Sequence, residues 1–187
     1  MRYTIEYDTA VWFPVPAEFP TGTWHAESNW LDSLVADFES DVGILTEDAR
    51  AAVHEFAIAA RNARVPGASE CVLFCPRTLP SLGVASIYVG MPGDDADIDL
   101  DHEASADDLA QLPPVVEDFS TEHLGTGRRA AVVIGASERD SAAGRYNYAF
   151  ERHGCVVTVS GTADGLHEAA LMRPFLDELV RGIRLEA

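Results

Sequence analysis

The chain has 187 residues, of which 47% are apolar, enough for a domain that buries roughly 70% of the surface its unfolded form exposes and too many for a disordered tail. Its 31 acidic residues oppose 13 basic ones, all arginine, for a formal net charge of −18; this field repels phosphate backbones and anionic membrane surfaces and excludes both as main partners. No apolar run approaches the roughly 18 residues of a membrane span, and Glu6 interrupts the stretch a signal peptide would need, so the expected location is the cytoplasm.

Arg2 to Tyr7 alternates Tyr3, Ile5 and Tyr7 with polar residues, the period of a half-buried strand. The segment from Phe13 to Pro20 holds three prolines, which fix φ and remove amide donors, so it is expected to be extended and not a central strand. Trp30, Leu31, Leu34, Val35 and Phe38 then recur at helical spacing, with Ser28 or Asn29 as the expected cap and Gly43 as the stop. A second helix is expected after Thr46, with Glu47 and Asp48 in its first turn and Pro66-Gly67 closing it.

Cys71 to Arg77 and Gly83 to Met91 read as a hairpin. Asp94 to Ser120 is expected to be a loop with one short helix from Ser105 to Leu112. Arg128 to Ser137, Arg145 to Arg152 and Cys155 to Thr162 form a predicted meander, the last two strands joined by His153-Gly154. A closing helix carries the stripe Phe175, Leu176, Leu179, Val180 and Ile183, with Pro174 near its first position. The chain is therefore expected to be one domain over residues 1–187, of α+β class: an antiparallel sheet of about five to seven strands flanked by helices in an α/β/α sandwich.

The segment Val156-Val157-Thr158-Val159-Ser160-Gly161-Thr162-Ala163, followed by the helix from Phe175 to Arg184, resembles the end of PsbP-like domains over about a third of the chain. Those domains are α/β/α sandwiches around an antiparallel sheet. The resemblance implies a binding or assembly module without a catalytic centre and carries no functional residue over.

Motif chemistry is sparse. Gly125-Thr126-Gly127-Arg128-Arg129-Ala130 spells a dinucleotide fingerprint but precedes a strand instead of opening a helix, so its glycines are read as a loop entering the strand. Asp95, Asp97, Asp99 and Asp101 alternate with apolar residues; Leu100 and Ala106 occupy the positions where a calcium loop needs glycine and an acid, so an edge strand with its acids outward is expected. Cys71 and Cys75 would lie about 13 Å apart in a strand, too far for a disulfide. His54 has no partner histidine at position 58, and neither a metal site nor a cofactor is expected.

Seven of the sixteen aromatic residues fall within the first thirty. Their burial over the sheet is one reading; the other places Trp12, Phe13, Phe19 and Trp24 around an exposed protein-binding patch. The leading functional expectation is a non-enzymatic module that binds another protein through this region, including the case of an acidic inhibitor or immunity-type protein masking a basic partner. The alternative is a small-molecule-binding protein or enzyme with a pocket between sheet and helices, in which Arg128, Arg129, Arg145 and Tyr146 act as anion or polar anchors. No residue is assigned a catalytic role.

Overall fold

The structure is a computed structural model that describes residues 2–76, 81–92, 98–135 and 142–186. In chain order the elements are β1 (Arg2–Ile5), β2 (Trp12–Pro14), α1 (Glu27–Val42), α2 (Glu47–Asn62), β3 (Glu70–Phe74), β4 (Gly83–Gly90), α3 (Leu100–Ser105), β5 (Val115–Thr121), β6 (Gly125–Ile134), β7 (Ala143–Arg152), β8 (Cys155–Ala163), α4 (Leu166–Arg181) and β9 (Ile183–Glu186). Seven strands form one antiparallel sheet in the order β2-β3-β4-β8-β7-β6-β5, and β1 pairs with β9 in a second, two-stranded sheet. The fold is α+β, and no described helix is long and apolar enough to cross a membrane.

Alternation along each strand sorts the side chains into two faces. One carries Val72, Phe74, Ala85, Ile87, Val157, Val159, Tyr148 and Phe150, covered by Met172, Leu176, Leu179 and Val180 of α4. The opposite face is covered in two separate places. At the β2–β3 end, Phe13, Cys71 and Leu73 pack under Trp30, Leu31 and Leu34 of α1 and Ala57 and Ala60 of α2. At the β6–β7 end, Ala130, Val132, Ile134 and Ala149 pack under Ala104 of α3. The middle of this face, over β4 and β8, lies between the two helical covers.

The hairpin of β3 and β4 and the meander of β6, β7 and β8 pair as the alternation predicts. His153 and Gly154 both adopt positive φ, 53° and 71°, the backbone that a two-residue hairpin turn requires. Thr46 caps α2 by accepting from the Ala49 N–H.

Several boundaries differ from expectation. α1 starts at Glu27 behind Ala26 with no side-chain cap, so Ser28 and Asn29 lie inside it. The short helix runs over Leu100–Ser105, not Ser105–Leu112, because the Asp99 carboxylate accepts from the N–H groups of Asp101 and His102 and fixes the start there. Asp99 therefore caps a helix and Asp101 lies in its first turn, neither in an edge strand; Asp95 and Asp97 lie outside the described residues, as do Arg77 and residues 136–141 of the expected strands and loop. α4 begins at Leu166, and Pro174 sits inside it. Pro174 and Ala170, whose carbonyl loses its helical partner there, are both exposed, so the missing bond falls on the solvent side.

Candidate functional site

The residues that face outward between the two helical covers are mostly polar. Strand register places Ser86 opposite Ser160 and Ser160 opposite Asn147. The adjacent rows are Val84, Thr162 and Arg145, and Tyr88, Thr158 and Ala149. This pattern arises because β8 alternates Val157 and Val159 toward α4 with Thr158, Ser160 and Thr162 toward the opposite side. Small hydroxyl side chains keep the floor low, and a cleft of about 460 Å³ opens above it.

One wall of the cleft is apolar. Phe56, Ala59, Ala60 and Ala63 of α2, together with Val65 and Leu82, face the hydroxyl-bearing floor of Ser86, Tyr88, Ser160 and Thr162. Toward α3 the floor continues into a niche of about 150 Å³ lined by Glu103, Asp107, Asn147 and Thr158. Arg145 and Ser160 line both spaces and mark their junction.

Arg145 is held in place from two sides. Its Nε donates to Thr162 Oγ1 at 2.9 Å and its Nη1 to Asp107 Oδ2 at 2.6 Å. The Asp107 side chain is only 3% exposed, and its Oδ1 accepts from the Leu109 N–H at 3.0 Å. That turn is fastened in turn to β6, where the Gln111 N–H donates to the Val133 carbonyl at 2.8 Å. A fixed guanidinium is pre-organised for a ligand because little further side-chain freedom remains to be lost.

Burial raises the Tyr88 phenol above its ordinary value, and the neighbouring Ser86 partly offsets this. At neutral pH Tyr88 is therefore a neutral hydroxyl able to donate. Cys71 stands opposite Ser86 at the inner end of the same row, where burial pushes its thiol up. It is held as a neutral thiol, the opposite of the depressed pKa that activates a cysteine nucleophile.

The eight residues singled out from the sequence do not converge. Arg145 alone lines the cleft. Arg128 is on the same face at its far end, where it pairs with Asp101 of α3 and Asp118 of β5. Arg129 and Tyr146 project from the α4 face: Arg129 pairs with Glu117 and Asp177, and Tyr146 packs on the main core beneath Arg173. Each of the three arginines has a carboxylate partner, and the structure does not bring these four residues together in one pocket.

The N-terminal aromatics divide as well. Trp12 and Phe13 are buried on opposite faces of β2, Trp12 against Phe74 and Phe13 against Trp30. Phe19 and Trp24 are half-buried over the α1–α2 cluster, and Trp24 Nε1 donates to Ser33 Oγ at 2.8 Å. The four rings form no common exposed patch, because closing the irregular proline-rich segment over the sheet edge uses two of them as core. Among the described residues no cluster of three or more metal-ligating side chains occurs.

Asn147, Ser86, Ser160 and Thr162 were missed by sequence reasoning. The signal was the run of hydroxyl residues on one face of β8, but whether that face meets a helix, solvent or a cleft depends on which strands are central. Comparison of the chain with protein-family models and with curated protein sequences gave no match.

Proposed function

We propose that the protein binds a small amphiphilic molecule in the cleft between α2 and the central strands. The observation that supports this most directly is the juxtaposition of a polar floor, fixed around Arg145, with an apolar helical wall across a space of about 460 Å³. Ligand sites have this composition: apolar surface supplies affinity, and a few placed polar groups set orientation. The apolar part of the ligand lies against Phe56, Ala60 and Val65, and its polar end reaches Ser160, Thr162 and Arg145.

The test is saturation-transfer NMR with 1-hexanol on the wild type and on Ala59→Trp. Ala59 is an exposed position of α2 that lines the cleft, so an indole there fills the space without touching the core. Transfer to 1-hexanol in the wild type and its loss in the variant is the expected result. Absence of transfer in the wild type, or transfer that persists in the variant, would reject the reading.

A further inference from the structure

Asn147 lies in the middle of β7, opposite Ala130 on one side and Ser160 on the other. It is only 8% exposed and lines the niche beside Arg145. Its Oδ1 is buried and has no hydrogen-bond partner among the described residues. A buried amide oxygen left without a donor costs free energy that a ligand group can recover, so such an atom at the end of a cleft marks what the ligand must bring.

The charges around the niche restrict the ligand further. Two acids, Glu103 and Asp107, face it with one base, Arg145, and Asp107 already holds Arg145. An anionic head would add a third negative charge to this group. Arg145 and the hydroxyls of Ser160 and Thr158 can meet an acceptor, while Asn147 Oδ1 meets only a donor.

Resting on the reading of the cleft as a ligand site, we propose that the niche selects a neutral head group carrying an N–H or O–H donor beside an acceptor, the pattern of a carboxamide, and rejects carboxylates. The donor goes to Asn147 Oδ1, the acceptor to Arg145 and Ser160, and the apolar remainder extends along α2.

Three probes of one chain length separate the contributions: hexanamide has donor and acceptor, N,N-dimethylhexanamide is neutral but lacks the donor, and hexanoate lacks the donor and is charged. Titration of each into the wild-type protein, followed by NMR, is expected to give hexanamide a dissociation constant about tenfold lower than either of the others, the scale of one buried hydrogen bond. Asn147→Leu is expected to bring hexanamide down to the level of its dimethyl analogue. Equal binding of all three, or preference for hexanoate, each blocked by Ala59→Trp, overturns the head-group assignment while leaving the cleft as a ligand site. Failure of every probe to bind, or binding unaffected by Ala59→Trp, overturns both. The wild-type selectivity decides the matter even if Asn147→Leu does not fold.

Discussion

Tyr148 and Asp177 join the sheet to the helix that covers it: the Tyr148 hydroxyl donates to Asp177 Oδ1 at 2.7 Å. Arg129 closes the cluster, its Nη1 reaching both Asp177 oxygens at 2.7 and 2.8 Å while its Nε and Nη2 bind Glu117. The arginine side chain is 8% exposed and stacks on Phe119 at 5.1 Å. Burial by itself would lower the Arg129 pKa, but the hydrogen bonds to Asp177 and Glu117 outweigh it and hold the guanidinium charged.

Removing the shared acceptor leaves Arg129 with Glu117 as its remaining carboxylate and takes the partner from its Nη1 and from the Tyr148 hydroxyl. Asp177→Ala is therefore expected to cost about 1–3 kcal/mol in urea unfolding. Tyr148→Phe, which deletes one bond to a charged group, should cost about 1.5–3 kcal/mol. Because both changes delete the same bond, the double variant is expected to lose less than the two single losses together.

The same contact makes stability pH-dependent on the alkaline side. Burial, followed by the hydrogen bond to and charge of Asp177, raises the Tyr148 pKa in the folded protein. Below about pH 10 the phenol is protonated in both states and the contribution is complete; above it the unfolded chain releases a proton the folded protein retains, and stability falls. Tyr3, Tyr7 and Tyr88 are raised too, so Tyr148→Phe should reduce the slope of unfolding free energy between pH 10 and 11 without abolishing it. The reduction should approach about 1.4 kcal/mol per pH unit, the limit for one proton; an unchanged slope would count against the burial of this phenol.

Trp30 and Trp24 should separate clearly by mutation. Trp30 is fully buried, and its Nε1 donates to the Pro14 carbonyl at 2.9 Å, whereas Trp24 covers the outer edge of the same cluster. Thermal or urea unfolding is expected to show a loss of about 3–5 kcal/mol for Trp30→Ala and a smaller loss for Trp24→Ala.

Gly127 explains half of the misleading fingerprint. A Cβ there would come within 2.3 Å of the Ala149 carbonyl oxygen and 2.4 Å of the Phe150 ring, so the residue is glycine because two strands and an aromatic ring meet over it. Gly127→Ala is expected to destabilise by about 1–3 kcal/mol, as overpacking does. A neutral result in urea unfolding would show that Phe150 can move aside.

The elements most legible in the sequence were those with strong periodicity. The meander from β6 to β8 and the helix from Glu47 follow from alternation, from the acidic first turn behind Thr46 and from the His153-Gly154 turn. β5 was hidden because Glu117 and Asp118 break its apolar pattern, which an edge strand tolerates when the acids find Arg129 and Arg128 across the ladder. β9 was hidden because Ile183 continues the stripe of α4 beyond Gly182. Of the candidate site, only Arg145 was legible; the hydroxyl row became a cleft floor through the strand order, which sets β8 beside β4 although residues 91–154 separate them in the chain.

The pairing of β1 with β9 sets Arg2 directly across from Glu186 and Tyr3 across from Leu185. Opposed residues of an antiparallel ladder share their backbone bonds, so neither strand can be released without unpairing the other. Amide exchange along β1 and β9 is therefore one event, in which the two most distant described segments of the chain lose their protection together.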